Sequence, residues 1–269
     1  MLSNFGTSTK DGKSPLGNIV NILDIPIDNL SQNQLLEKLK FGGIVFTPNV
    51  DHLIQLQTNP GFRKVYQMAT YRPCDSQILV YASKFLGTPI KEKISGSDLF
   101  PAFYERYKDD EEIKIFLLGG AEGVAAKAQQ RINTKVGRKI IVDTLSPSFG
   151  FEKCEKECQN IVDRINQSQA TVLAVGLGAP KQEQWICQYK DKLKNIQLFL
   201  AIGATIDFEA GNLQRAPKWM SNIGLEWFYR LMNEPRRLLI RYLKDTVFFW
   251  WLLKQKIRQS KALRFPLNS

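Results

Sequence analysis

The stretch TVLAVGLGAPKQEQWICQYKDKL, residues 171–193, decides the fold class of this chain. It begins with a continuous apolar run instead of alternating polar and apolar residues, which is typical of a strand covered on both faces. Glycines end the run, and Pro180 suits the first turn of a helix, where no N–H donor is needed. A buried strand, a glycine turn and a helix in this order indicate one unit of an α/β sheet.

The same pattern recurs along the chain. Similar apolar runs occur at residues 18–25, 42–48, 113–120, 139–144 and 196–203. Strands that alternate with helices predict an open, mostly parallel, Rossmann-like sheet with flanking helices. We expect a disordered polar leader at residues 1–17, an α/β domain at 18–212 and a helical basic and aromatic C-terminal appendage at 213–269.

Ligands of open parallel sheets bind beyond the carboxyl ends of the strands. The candidate binding residues at these ends are Thr47, Asn49, Gly119, Gly120, Gly178 and Asp207. The glycine loops suit an anion, because the backbone can approach it closely and a helix N-terminus follows. Alternatively, these glycines only make tight strand-to-helix turns, and Asp207 only caps a loop.

Residues 70–100 do not fit the simple alternation of strands and helices, and they contain two notable carboxylates. Asp75 follows Pro73 and precedes an apolar helical stretch, and Asp98 opens an amphipathic helix. Each is either a helix N-cap or a functional group.

The C-terminal segment is strongly basic. Residues 215–269 hold 12 of the 37 Lys and Arg residues but 3 of the 26 acids, together with four of the five Trp residues. Cations interleaved with aromatic residues indicate a polyanionic surface, either lipid headgroups or nucleic acid. The longest apolar run is residues 247–253, whereas a membrane-spanning helix needs about 20 residues. We therefore expect that the chain does not cross a membrane.

No metal site is predicted. Cys154 and Cys158 are four residues apart, without a second pair at zinc-ligand spacing, and reduced thiols in a cytoplasmic protein are the simpler interpretation. An Asp-x-Asp motif is absent, and Asp207-Phe208-Glu209 is its nearest approximation. The single histidine, His52, is more typical of a polar packing residue than of a catalytic base.

Several blocks of sequence together resemble the WecG/TagA/CpsF family of bacterial glycosyltransferases, glycosyltransferase family 26. They are TPNVDHL (47–53), RPCDSQILVYASKFLG (72–87), GSDLFP (96–101), FLLGGAEGV (116–124), VGLGAPKQEQWI (175–186), AIGATIDFEAG (201–211) and RAPKWMSNIGLEWFYRLMNEPRR (215–237). The resemblance implies a UDP-sugar-dependent hexosyltransferase. Such an enzyme transfers an N-acetylmannosamine-type or related sugar to a polyprenyl-diphosphate-linked acceptor with inversion, without a cofactor or metal.

The resemblance also implies roles for individual residues. Asp75 matches the proposed base, although relatives often have Asp-Gly where this chain has Asp75-Ser76. Thr47 and Asn49 match the substrate pocket, and Gln182 and Asp207 match positions near the nucleotide. Arg230 and Arg237 match arginines assigned to the leaving diphosphate.

A lipid-linked acceptor implies a cytoplasmic enzyme at the inner face of the cell membrane, peripherally bound to an anionic surface. We expect residues 215–241 to fold over the α/β domain, and the stretch from Thr246 to form an interfacial helix. No nucleic-acid partner is then expected, and a homo-oligomer stays open. The alternative functions are a nucleotide-binding α/β oxidoreductase, which would need a GxGxxG motif after the first strand, and a nucleic-acid-binding protein that uses the basic tail.

Overall fold

The computed structural model describes residues 13–14, 17–217, 219–220, 223–233, 235 and 245–264. The strands are β1 (Lys13–Ser14), β2 (Gly17–Ile22), β3 (Ile25–Asp28), β4 (Gly43–Val45), β5 (Ile115–Gly119), β6 (Ile141–Leu145), β7 (Val172–Gly176) and β8 (Leu198–Ala201). The helices are α1 (Gln32–Leu39), α2 (Val50–Thr58), α3 (Pro60–Gln67), α4 (Gln77–Leu86), α5 (Gly96–Arg106), α6 (Val124–Val136), α7 (Glu155–Gln167), α8 (Lys181–Tyr189), α9 (Thr205–Ala210), α10 (Glu226–Asn233) and α11 (Val247–Arg264).

The central sheet has five parallel strands in the order β4-β8-β7-β5-β6. From β5 the chain moves outward to β6, whereas from β7 it moves in the opposite direction to β8. The winding therefore reverses between β5 and β7, and a crevice for ligands forms at such a point beyond the carboxyl ends of the strands. The predicted α/β class with a mostly parallel sheet is confirmed.

Two apolar cores cover the two faces of the central sheet. Successive side chains of a strand point to opposite faces, so Leu118 and Val175 join one core while Leu117 and Ala174 join the other. The first core includes residues of α3, α7 and α8, and the second includes residues of α1, α5, α6 and α9. Burial on both faces explains why these strands read as continuous apolar runs.

Residues 18–25 are not the first strand of the parallel sheet, and that prediction is wrong. They lie in an antiparallel hairpin of β2 and β3, in which Ile22 pairs with Ile25 across the two-residue turn of Leu23 and Asp24. Both turn residues have positive φ, 51° and 59°, as in hairpin turns that match the twist of the strands. Strand β1 and the start of β2 lie within the predicted leader, of which residues 1–12 and 15–16 are outside the described part.

An irregular segment extends the central sheet beyond β4 and leads the chain towards Asp75. Tyr71 forms a parallel bridge with Val45, and Pro73 forms one with Asp28 at the end of β3. The segment therefore lies between the hairpin and the central sheet. Because it runs parallel to β4, its carboxyl end reaches the same edge as the carboxyl ends of the five strands.

The C-terminal helix α11 packs against α2 and α4. Its inner face buries Phe248 and Leu252, and the Gln255 side chain accepts a hydrogen bond from the Leu23 N–H group at 2.8 Å. In the described ranges, every helix is too short or too polar to span a bilayer. A C-terminal helix was predicted and is present, while the domain boundary at residue 213 and membrane association stay predictions.

Candidate active site

Five loops meet at the carboxyl edge of the sheet. In spatial order they follow the 70–75 segment, β4, β8, β7 and β5. Neighbouring strands are about 4.8 Å apart, so the loop of Asp75 and the loop after β7 are separated by about 14 Å along this edge. The edge therefore has room for an elongated ligand between its two ends.

Asp75 lies beside the loop that follows β4. Its N–H group donates to the carbonyl oxygen of Pro48 at 2.9 Å, next to the buried Thr47. Helix α4 is capped by Ser76, whose hydroxyl accepts from the Leu79 N–H group at 3.4 Å. The N-cap interpretation of Asp75 is therefore wrong. The backbone of Asp75 lies beside Pro48, which follows Thr47 in the chain, and the shared role of Asp75 and Thr47 in one site stays a prediction.

Asn49 has a structural role that the sequence did not reveal. It is the N-cap of α2, and its Oδ1 atom accepts from the His52 N–H group at 3.1 Å. This bond fixes the side chain next to Thr47 and orients the amide at the site edge. Its predicted contact with substrate stays a prediction.

The start of α5 closes the other side of the Asp75 loop. The Ile94 N–H group donates to the Cys74 carbonyl oxygen at 2.7 Å, which joins the chain just before α5 to the residue that precedes Asp75. A Cβ atom on Gly96 would lie 3.3 Å from the Cα atom of Ile202, so α5 begins against the end of β8.

Asp98 serves to anchor the start of α5, but it is not the N-cap. Ser95 is the cap, and its hydroxyl also donates to Asp98 Oδ2. Arg215 donates to Asp98 Oδ1, and Lys93 Nζ lies 3.7 Å from Asp98 Oδ2. Burial would raise the pKa of Asp98, but the bonds from Ser95 and Arg215 outweigh it and lower the pKa.

The glycines at this edge have a structural explanation. A Cβ atom on Gly119, at φ +132°, would lie 2.3 Å from the carbonyl oxygen of Gly176, and one on Gly176 would lie 2.6 Å from that of Gly203. Gly120 and Gly178 have φ of +73° and +77°, which favours glycine. Tight packing and turns therefore account for these residues, and their predicted contact with a ligand stays a prediction.

Gln182 links the loops after β7 and β8. The Gly203 N–H group donates to its Oε1 atom at 3.1 Å, and its Nε2 atom donates to Glu183 Oε1 at 2.8 Å. Glu183 is fully buried, and Glu183 Oε2 has no hydrogen-bond partner within the described part of the chain. Burial raises the pKa of Glu183 to about 7, against the bond from Gln182, and the Asp51 carboxylate adds to the shift.

Two further candidates have clear positions. Asp207 is half-buried in the first turn of α9, which begins after Ala204, so Asp207 is not the N-cap of that helix. His52 is buried, with its Nδ1 atom 3.1 Å from the Tyr66 hydroxyl and its ring edge-on to Phe62. The packing interpretation of His52 is confirmed.

The arginines predicted at the diphosphate cannot be placed against this geometry. Arg237 lies outside the described residues, and for Arg230 the backbone in α10 is described but the side chain is not. In the ranges that are described, no three His, Cys, Asp or Glu side chains are grouped to hold a metal ion. Metal-independent action stays a prediction.

The arrangement combines a carboxylate at one end of the edge with glycine turns and a fixed amide at the other. A carboxylate can accept a proton from a hydroxyl, and helix N-termini beside glycine turns favour an anion. A protein-family model described as "Glycosyl transferase WecG/TagA/CpsF family" matches residues 20–262 of the sequence. The match covers nearly the whole of the chain, including every candidate residue named above.

Proposed function

The chain belongs to the WecG/TagA/CpsF family of glycosyltransferases, and on this basis we propose a specific reaction for it. The enzyme transfers an N-acetylmannosamine-type or related sugar from a UDP-sugar to a polyprenyl-diphosphate-linked acceptor. The anomeric carbon is inverted, and the product enters cell-surface polysaccharide synthesis. Neither a cofactor nor a metal takes part.

The observation that carries the proposal is the position of Asp75. Its backbone is bonded to Pro48 at 2.9 Å, beside Thr47, and Ser76 instead of Asp75 caps α4. In an inverting transfer, a base removes the proton of the acceptor hydroxyl on the face opposite the leaving group. Asp75 is the base in our proposal, with Thr47 and Asn49 in contact with the sugar.

The donor nucleotide occupies the other end of the edge in this proposal. Gln182 and Asp207 follow β7 and β8, and their loops are joined by the bond from the Gly203 N–H group to Gln182. The glycine turns after β5 and β7 bring backbone N–H groups towards the diphosphate. The loop of Asp75 and the loop after β7, where we place the nucleotide, are three strand spacings apart along the sheet edge, which is about 14 Å.

The leaving diphosphate carries negative charge that must be stabilised as the glycosidic bond breaks. Without a metal, helix N-termini and cations supply this stabilisation. We assign part of it to Arg230 and Arg237 of the C-terminal segment. Because Arg215 fastens the start of that segment to α5, the segment begins close to the sheet edge that it serves.

Helix α11 docks the enzyme on an anionic membrane in this proposal. Opposite the buried Phe248, the helix exposes a stripe of large apolar side chains, which are Phe249, Trp250, Leu253 and Ile257. Lys256 flanks one side of this stripe, and Lys254 and Lys261 flank the other. An apolar stripe with flanking lysines is typical of a helix that lies in the membrane interface. The enzyme is then peripheral to the cytoplasmic face.

The proposed reaction is tested with a panel of UDP-sugars and a short-chain lipid-diphosphate acceptor, with EDTA present and absent. We expect one or a few donors to be transferred, inversion by NMR of the product, and equal rates with EDTA. Hydrolysis without transfer in every reaction contradicts the proposed acceptor. Loss of activity in EDTA contradicts the proposal that the leaving diphosphate is stabilised without a metal.

A further inference from the structure

Glu183 is an unusual glutamate for its position. A glutamate in the first turn of a helix ordinarily faces solvent near the helix dipole, yet Glu183 in α8 has 0% of its surface exposed. Its Oε1 atom accepts from Gln182, and its Oε2 atom has no partner within the described part of the chain. A buried carboxyl group is costly, so it calls for an explanation beyond the stability of the fold.

The hydrogen bonds around Gln182 allow only one of the two orientations of its amide group. The Gly203 N–H group can only donate, so the Gln182 oxygen must face it. The Gln182 NH₂ group must then face Glu183, where it needs an acceptor. An amide turned the other way would set two donors against each other at Gly203. Glu183 therefore supplies the acceptor that completes this orientation.

The same bonds join two loops of the candidate donor site. Gln182 follows β7, and Gly203 leads from β8 into the first turn of α9, which carries Asp207. We propose that Glu183 is a positioning residue that holds the Gln182 amide against Gly203 and thereby sets the two loops that bind the UDP-sugar. This inference rests on the proposed function, since it concerns the donor site of that reaction.

The surroundings of Glu183 favour its neutral form. The titratable and charged groups that face it or its neighbour Tyr66 are Asp51 and His52 of α2, Tyr66 of α3, Cys187 of α8, and Arg72 and Asp75 of the edge segment. In the described ranges, none of these makes a hydrogen bond to Glu183 Oε2. With a pKa of about 7, Glu183 is mostly neutral below pH 7 and mostly a carboxylate above it.

Ionisation of Glu183 weakens donor binding in this account for two reasons. A buried negative charge near Asp51 must recruit water or shift the first turn of α8. The charge also repels the diphosphate of the donor. The KM for the UDP-sugar should therefore rise between pH 6.5 and pH 8.5, while kcat changes less.

The experiment compares wild type, Glu183→Gln and Glu183→Leu in the full-length chain. Glu183→Gln keeps an acceptor for Gln182 without the charge, so its KM at pH 6.5 should stay within about twofold of wild type and should not rise with pH. Glu183→Leu removes the acceptor and should raise KM about tenfold. Glu155→Gln, an exposed glutamate in the first turn of α7, is the matched control and should behave as wild type.

A second readout does not depend on activity. In hydrogen exchange, the Gly203 amide should exchange at least about tenfold faster in Glu183→Leu than in wild type, and near the wild-type rate in Glu183→Gln. The same rise of KM with pH in wild type and Glu183→Gln overturns the inference, as does unchanged Gly203 exchange in Glu183→Leu. If Glu183→Leu does not fold, the pH profile of Glu183→Gln decides.

The two proposals can fail separately. If wild type transfers no sugar from any UDP-sugar, the proposed function fails, and Gly203 exchange still tests whether Glu183 holds the two loops. If transfer is found but Gly203 exchange and KM are insensitive to Glu183, the positioning role fails and the proposed function stands.

Discussion

At the carboxyl edge of the central sheet, Gly119 and Gly176 have no room for even a Cβ atom, whereas α11 leaves Trp250 57% exposed and Leu253 43% exposed. The edge is packed against the protein itself, with backbone atoms of neighbouring strands in contact. Helix α11 packs its inner face through Phe248 and presents an apolar outer face. The glycines of the edge are therefore enclosed by the protein itself, whereas the outer face of α11 is an exposed apolar surface of the kind that often marks an interaction site.

This difference corresponds to two proposed roles, which are catalysis at the sheet edge and docking on a membrane through α11. A site that stabilises a transition state must be held rigidly, because small displacements of catalytic groups cost rate. A membrane-binding helix instead needs area, charge and accessibility. Substitutions at the edge should therefore change turnover or stability, and substitutions on the outer face of α11 should change membrane affinity alone.

The largest effect is expected from Asp75→Asn. If Asp75 is the base, the variant loses proton transfer, which contributes 10²–10⁴-fold in enzymes, so we expect kcat to fall by about 10³. UDP affinity, measured by calorimetry, should stay near that of wild type because the proposed nucleotide position is at the other end of the edge. The control is Asp110→Asn, because the carboxylate of Asp110 lies at the amino end of the sheet, beside Lys40. Wild-type turnover in Asp75→Asn would falsify the assignment.

The tight packing of the edge predicts the next largest effect. Gly119→Ala places a methyl group 2.3 Å from the Gly176 carbonyl oxygen at a φ of +132°, and we expect the free energy of unfolding in urea to fall by about 3 kcal/mol. Gly178→Ala is the matched control, because its Cβ atom would meet no atom within 4 Å and its φ is +77°. It should cost about 1 kcal/mol, from φ strain alone. Equal losses in the two variants would show that backbone packing does not distinguish this edge.

The open face of α11 is tested by the double variant Trp250→Ser, Leu253→Ser. Sedimentation with phosphatidylglycerol vesicles should weaken at least about tenfold, because two large apolar side chains no longer enter the interface. Both residues are exposed, so Tm should not change. Phe41→Ser, which removes an 87% exposed aromatic residue between α1 and β4, is the control. Equal vesicle binding by wild type and the double variant would remove the docking role from α11, and binding to RNA instead would favour the nucleic-acid alternative.

Much of the fold could be predicted because a strand that is buried on both faces consists almost entirely of apolar residues. Leu117 and Leu118 face opposite cores, so neither position tolerates a polar residue and the strand reads as one apolar run. The hairpin of β2 and β3 has a similarly apolar sequence, because Ile22, Ile25 and Ile27 are all buried. Its turn at Leu23 and Asp24 lacks the glycine or asparagine that usually signals such a turn, and for that reason residues 18–25 were misassigned.

The site was predictable at the level of loops and less so at the level of side chains. The carboxyl ends of parallel strands share one edge, so Thr47 and Asp207 could be assigned to it in advance, whereas Gln182 was assigned only through the family resemblance. Asp75 and Ser76 are adjacent and both suit an N-cap, and only the Leu79 contact tells them apart. Glu183 was missed because a glutamate in a first helical turn is ordinarily exposed, and its burial depends on the packing of α3 against α8.

The smallest effect is expected at Arg215, where the C-terminal segment begins. Arg215 donates to the Ser97 carbonyl oxygen at 3.2 Å and to the Asp98 carboxylate, but its side chain is 44% exposed. An exposed ion pair contributes little, so Arg215→Ala should lower the free energy of unfolding by less than about 1 kcal/mol at pH 7. The pKa of Asp98 lies below its ordinary value of 3.8, so this contribution exists above that pH and is lost as pH falls through the lower, folded-state value. Urea unfolding should therefore separate the variant from wild type at pH 7 more than at pH 3, and Arg215→Lys, which keeps the charge without the forked geometry, should fall between them. A loss of several kcal/mol, equal at both pH values, would mean that the C-terminal segment is joined to the α/β domain as tightly as the strands are joined to one another, and the contrast between the two regions would not hold.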